Sequence, residues 1–322
     1  MAETNFAAHD EQGRSADSPS AIPAKGWWSV LKRVYVEVDD DRVMLTAAGV
    51  TFYLLLALFP ALAAFVSIYG FVADPGTIAD HIAFLGSVLP SGGVELIESQ
   101  LEALVQQDVG ALSFGFVLGL LIALWSANSG MKSIFDAMNV VYDEAEKRSF
   151  LKYNLMSLAF TMGSLAIGVL FLTMVGVVPA ILAAFRLEGV TEILIRYLRW
   201  PVMLLAVALA ISVVYRWGPS REKAKWRWIT WGSGLATVVW IGTSIGFSWY
   251  LENFADYNAT YGSLGAVIGF MMWTWISVMI LLVGAELNAE LEHQTAQDTT
   301  TGPERPIGTR GAEMADKVAP AN

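Results

Sequence analysis

The chain has no cysteine and only three histidines among its 322 residues. Without cysteine there is no disulfide, no thiolate metal site and no cysteine nucleophile. His9, His81 and His293 lie far apart, and no His-Glu-x-x-His pair occurs. A Gly-x-Ser-x-Gly elbow and the phosphate-binding glycine loops are missing as well. These gaps remove the usual starting points for a zinc enzyme, a serine hydrolase or an ATP-driven motor. No catalytic residue, cofactor or metal is expected, and the protein is not expected to be an enzyme. Charge is scarce too: charged residues are 16% of the chain, against 55% hydrophobic, with a mean hydropathy of +0.50. A water-soluble globule rarely reaches those values. The basic residues form no stripe interleaved with aromatics, so no nucleic-acid partner is expected. The net charge of −10 is spread over Asp39-Asp40-Asp41, the segment 73–110 and the two tails, and reads as solvated surface.

What the chain does have is six long apolar runs, at about 47–72, 111–127, 155–185, 200–216, 228–250 and 264–286. At 1.5 Å per residue, a helix needs about 20 residues to cross about 30 Å of hydrocarbon. The runs therefore predict an all-α integral membrane protein with six transmembrane helices. Lys and Arg alternate between the connections. The N-terminal segment holds Arg14, Lys25, Lys32, Arg33 and Arg42, while residues 73–110 hold none. Lys132, Lys147, Arg148 and Lys152 follow the second run, and Arg216, Arg221, Lys223, Lys225 and Arg227 follow the fourth. Seventeen of the twenty fall on one side, which by the positive-inside bias places both termini in the cytoplasm. Anionic lipid head groups are the expected partners of these basic connections. Residues 1–25 are polar, so a cleavable signal peptide is not expected.

Two connections carry helical patterning. Ile78, Ile82, Leu85 and Leu89, then Ile97, Leu101 and Leu104, predict an amphipathic hairpin in the first outer loop. Met131, Ile134, Phe135, Met138, Val141 and Tyr142 predict an interfacial helix continuing the second span into the first inner loop. Both stripes read as packing surfaces before binding sites. Pro201 is expected in the first turn of the fourth span. Trp226, Trp228 and Trp231 at one end of the fifth, with Trp249 and Tyr250 at the other, predict aromatic belts. Gly115-xxx-Gly119, Gly242-xxx-Gly246 and Gly265-xxx-Gly269 predict close helix packing, with homo-oligomerisation as the lesser alternative. Residues 1–25 and 294–322 have the composition of disordered tails around a membrane domain of residues 26–293.

The stretch from Ala47 to Pro60, AAGVTFYLLLALFP, resembles the opening signature of the YihY/virulence factor BrkB family. So do Asn139-Val140-Val141-Tyr142-Asp143-Glu144 with Lys147 and Arg148, the block Tyr257–Gly265, and Gly284-Ala285-Glu286-Leu287-Asn288. The resemblance covers about residues 27–293. It departs from the family where a Tyr-x-x-x-Pro-Asn pattern is usual, because Tyr215 and Pro219 are followed by Ser220. The resemblance implies a six-helix protein of the bacterial inner membrane. It also implies a family once labelled a ribonuclease, a label regarded as mistaken, with members linked to envelope integrity, serum resistance and transport.

Two groups could carry function. Glu286, near the end of the sixth run and followed by Asn288, is costly to bury unless paired, protonated or facing water. It is either a cation or proton site, or an interfacial carboxylate paired with a neighbouring Lys or Arg. The polar exit Glu290, Glu292 and His293 favours the interface. The second group is the outer turn before the sixth run, with Asp256, Tyr257, Asn258, Tyr261 and Ser263. It is either a helix cap or an anion-attracting helix start. Tyr53, Ser126 and Thr243 are candidates to line a pathway for a small ion or lipid. Asp39-Asp40-Asp41 is a weak metal candidate, since adjacent acids on a helix diverge. The leading expectation is a secondary carrier or lipid-handling protein of the cell envelope. The alternatives are a non-transporting envelope scaffold and, behind it, a membrane-bound nuclease or phosphodiesterase.

Overall fold

The computed structural model describes residues 11–72, 114–172, 174, 190–253 and 265–320. Among the described residues the chain is helical without strands, apart from one isolated antiparallel bridge between Ala224 and Thr300. Helix α1 (Ala24–Asp40) buries Gly26, Val30 and Val34, which recur every four residues along one face. Asp41 closes it, and Arg42 takes a left-handed φ of 49°. Helix α2 (Val43–Val72) then departs at 59° to α1. Five more long helices follow: α3 (Phe114–Val141), α4 (Phe150–Leu172), α5 (Val190–Trp217), α6 (Trp226–Asn253) and α7 (Gly265–Gln294). A single turn, α8 (Glu313–Asp316), completes the set.

Within the described residues, all six apolar runs fall on helices α2–α7. By length and composition α4, α5, α6 and α7 are able to cross a membrane, and the bent α1–α2 pair makes a fifth. Six crossings and the side occupied by the termini belong to the proposal below. The expected outer hairpin, residues 78–104, lies outside the described residues.

Two helix boundaries lie beyond the apolar runs for one reason: charge interrupts an apolar run without ending a helix. Helix α5 begins at Val190, because Glu192, Arg196 and Arg199 are helix-compatible. Pro201 is consequently an interior residue and leaves one carbonyl without its amide, a loss that helices in apolar surroundings tolerate. Helix α3 runs unbroken to Val141, so the expected interfacial helix is its continuation. There Met131, Phe135 and Met138 are buried, and Phe135 meets the Phe160 ring of α4 edge-on at 5.0 Å.

Helix α7 is central, packing on α1, α2, α3, α6 and α8. The main core joins Val43, Ala47 and Val50 of α2 to Met138, Val141 and Tyr142, and to Leu282, Ala285 and Ala289 of α7. A second cluster sets Val30 and Val34 of α1 against Trp228, Leu287 and Leu291. Trp228 is therefore core, not belt, whereas Trp226, Trp231, Trp249 and Tyr250 are exposed. Hydroxyls inside the helices mostly return to the backbone one turn earlier, as Thr51 does to Ala47, Thr237 to Ser233 and Thr274 to Phe270.

The close approach of α6 and α7 is made by glycines outside the expected pairs. A Cβ on Gly232 would overlap the Gly284 carbonyl and come within 2.5 Å of the Asn288 side chain. Gly119, Gly242, Gly246 and Gly269 face open space instead.

Composition predicts disorder for the tails, yet their described parts are bonded to the bundle's end. Thr295 Oγ1 donates to the Ala16 carbonyl at 2.6 Å, and Arg14 Nη2 to the Ala319 carbonyl at 2.7 Å. Arg310 donates to the carbonyls of Ala296, Gln297, Arg305 and Ala315. Asp316 accepts the backbone N–H groups of Gly308, Arg310 and Gly311, and despite partial burial its carboxyl is held below the usual range by them. These few side chains satisfy enough backbone to fold a polar segment that lacks an apolar pattern.

Gly232→Ala is expected to force α6 and α7 apart and cost about 1–3 kcal/mol, read as a lower melting temperature in detergent. Gly242→Ala, with no neighbour within 4 Å, is expected to leave it unchanged.

Candidate functional site

The polar end of α7 does not lead out into water. Glu286, Asn288, Glu290 and Glu292 are all fully buried, because α1, the α5–α6 connection and both tails close over them. Burying three carboxylates in one helix end requires partners, and two of them have one. Glu290 pairs with Arg33 of α1, which also donates to Gln294 at 2.7 Å, and His293 Nδ1 lies 3.4 Å from the other Glu290 oxygen. Glu292 pairs with Arg221 at 2.5 Å and accepts the Thr299 hydroxyl at 2.6 Å. Arg221 is itself buried, its guanidinium centred 4.9 Å over the Tyr142 ring. Burial opposes its charge, but Glu292 outweighs that and lifts its pKa above the ordinary arginine value.

Glu286 has no such partner. Neither carboxyl oxygen has a well-formed hydrogen bond, and no Lys or Arg among the described residues pairs with it. The charged group acting on it most strongly is the Asp41 carboxyl, at the bend between α1 and α2, with Glu290 and Glu37 adding to the negative field. The expected interfacial pairing to a cation is thus made by Glu290 and Glu292, one and two turns further on. Asn288 accepts the Gly232 amide at 2.8 Å, which ties α7 to α6 and gives that residue a structural task.

Residues quoted for their family likeness converge at the same end. Asn139 accepts the Ser220 amide at 2.7 Å, and the Ser220 hydroxyl accepts the Lys147 amide at 2.9 Å. Tyr215 donates to the Leu281 carbonyl at 2.7 Å, and Glu144 accepts the Glu313 amide at 2.7 Å. Arg148 reaches across to the carbonyls of Trp217 and Gly218. The two basic connections are thereby joined into one surface, an arrangement that no spacing in the sequence announces.

Tyr53 is half exposed on α2, and no hydrogen bond links it to Ser126 or Thr243 among the described residues. Asp256, Tyr257, Asn258, Tyr261 and Ser263 lie outside the described residues. Among the described residues no three His, Asp or Glu groups are placed to share a metal ion, and Asp39-Asp40-Asp41 spans the end of α1 with Asp41 alone turned toward Glu286.

A family model described as Virulence factor BrkB matches residues 34–308. A ribonuclease-like protein, YfkH, of Bacillus subtilis is 30% identical over 273 residues, covering 82% of this chain and 95% of that protein. UPF0761 membrane proteins of Methylibium petroleiphilum and of Neisseria meningitidis serogroup B are 26% and 27% identical over 82% and 83% of this chain. The chain spans only 62% and 63% of the length of those two relatives. No solved structure matches.

Removing one partner of a buried pair leaves the other charge stranded. Glu292→Gln is expected to destabilise the fold by about 3–5 kcal/mol, measured by denaturation in mixed micelles. At the neighbouring surface, partial burial disfavours the Glu146 charge, but hydrogen bonds from Arg148 and Asn139 prevail and bring its pKa to about 2. A depressed pKa gives stability that is complete above the unfolded carboxylate value of about 4.3 and is lost as pH falls toward about 2. Amide exchange over residues 143–149, corrected for intrinsic rates, is expected to rise across that window, and Glu146→Gln to remove the pH step.

Proposed function

The chain belongs to the virulence factor BrkB family, and from that premise we propose a secondary carrier or lipid-handling protein of the bacterial inner membrane. Glu286 is its cation or proton site. What carries it is this carboxyl, fully buried, with neither a well-formed hydrogen bond nor a cationic partner among the described residues, and faced by Asp41. A fully buried carboxyl facing a half-buried one is stable only with a proton or a cation between them. An ionisable group inside an apolar helix bundle is a functional site by default. Asp41 stands at the bend after α1, so a change in that bend alters the separation of the two acids and with it their hold on the ion.

In this reading helices α2–α7 cross the membrane and both termini are cytoplasmic. Support comes from the charge pattern. The N-terminal segment, the α3–α4 and α5–α6 connections and the C-terminal tail meet at one end, and together with the adjoining parts of α3, α4, α5 and α6 they carry seventeen of the twenty basic residues. The side chains that a scaffold would present to partners, along the continued α3 and in the tails, are engaged within the chain itself. The word ribonuclease in one relative's name finds no converging set of metal ligands among the described residues.

Sealed proteoliposomes loaded with a pH dye test the proposal under imposed Na⁺, K⁺ or H⁺ gradients. Wild type is expected to move one of these ions, and correctly inserted Glu286→Gln to lose at least tenfold of that flux. Equal flux from both proteins, or none from wild type under every gradient, removes Glu286 as the ion site.

A further inference from the structure

The two basic connections line an open cavity of about 690 Å³. Its wall comes from the first turns of α4, the α5–α6 connection and the C-terminal tail. We propose that this cavity is a binding site for a phosphate-bearing anion of head-group size, separate from Glu286. Five cationic side chains face it without a carboxylate partner of their own or with capacity to spare: Lys152, Arg216, Arg221, Lys223 and Arg305. Lys147 and Arg148 also reach the cavity, but Glu144 and Glu146 already neutralise them. Glu222 is the acid on its lining.

Charge alone would describe any wet basic surface. Arg221 makes the difference. Its side chain is 2% exposed, its Nη2 is on Glu292 and its Nε donates to the Glu222 carbonyl at 3.1 Å. Its Nη1 is buried with no partner. Arg216 is similar: one nitrogen donates to the Ala224 carbonyl while Nε is buried and unpaired. A buried guanidinium N–H left unpaired is costly, and both of these belong to side chains on the cavity's lining, where an entering acceptor would compensate them. Two guanidinium groups on one lining favour phosphate oxygens, which their forks match in geometry.

The surroundings say more about the ligand. Ser149 lies at the start of the 23-residue α4, whose free N–H groups and dipole add positive potential there. The volume lies within the 300–1,000 Å³ usual for small-molecule sites, well beyond a bare ion. Met156 and Trp217 supply an apolar edge where two long apolar helices end. A phosphate with an attached organic group fits this combination, whether it arrives as a lipid head group or as a soluble phosphate ester. The tail completes the cavity with Arg305, whose amide is held by Asp298 at 2.9 Å.

The test uses the full chain in nanodiscs of phosphatidylcholine, read by native mass spectrometry and calorimetry, without transport. One arm mixes phosphatidylglycerol into the disc, and the other titrates glycerol phosphate or inorganic phosphate into neutral discs. The variant Lys152→Ala/Arg305→Ala removes two exposed cations that hold no ion pair, so the fold is retained. Lys32→Ala, on the exposed face of α1, controls for general surface charge. Retained phosphatidylglycerol, weakened about tenfold or more in the double variant and unchanged in Lys32→Ala, supports the site and assigns it to lipid. Saturable binding of the soluble phosphates with the same dependence supports the site and assigns it to a free ligand. No selective binding in either arm, or equal loss in both variants, overturns the proposal.

Discussion

Helix α7 carries Glu286, Glu290 and Glu292 into a fully buried space, and the bundle's end is organised by the need to compensate them. Compensation comes from distant parts of the chain. Arg33 brings α1 against one face of α7, and Arg221 brings the α5–α6 connection against another. Neither pair is a reservoir of stability, since desolvation offsets most of the attraction. Their effect is selective: any arrangement that separates α1 or the α5–α6 connection from α7 strands a charge, which costs several kcal/mol. Apolar helix packing inside a membrane offers little such discrimination, because lipid is as apolar as the helices. The ion pairs therefore set the register in which the apolar contacts form.

Against that background Glu286 stands out for being left alone. The sequence does single it out, together with Asn288, because an acid and an amide follow a long apolar run. It does not show that Glu290 and Glu292 are buried. Their burial depends on Arg33, Thr299 and the tail, which lie 257, 7 and up to about 30 residues away. Hydropathy reads one segment at a time, so a polar helix end looks like an exit to water even when another part of the chain covers it.

The same limit explains the remaining differences. The helices themselves were legible, since apolar length and the alternation of Lys and Arg are local properties. Pro201 was misplaced because Glu192 and Arg196 interrupt hydropathy while leaving helical geometry intact. The glycine pairs at four-residue spacing are the visible pattern, yet the contact is made by Gly232 and Gly284, neither of which belongs to such a pair. In the described tail a handful of multidentate side chains, Arg310 and Asp316 foremost, do what an apolar pattern does elsewhere, and composition carries no sign of it. A usable signal was present in the motif residues Asn139, Tyr142, Glu144, Tyr215 and Pro219. All five stand at the end where the loops interlock, around Arg221, which no motif marked.

Arg221 joins the two polar regions, and only an arginine serves there. Its ring neighbour Tyr142 takes the flat face, Glu292 takes Nη2, the Glu222 carbonyl takes Nε, and Nη1 is left without a partner in a side chain that lines the basic cavity. A lysine at this position offers three donors from a single nitrogen on a flexible stem, with neither a planar face for the ring nor a fixed fork spread over three nitrogens. The planarity of the guanidinium fixes the angle between the α7 carboxylate and the cavity, so a shift of α7 displaces the free N–H as well. The charge balance of the helix end and the geometry of the basic cavity consequently rest on the same side chain. That coupling follows from covalent geometry and holds whichever anion the cavity accepts.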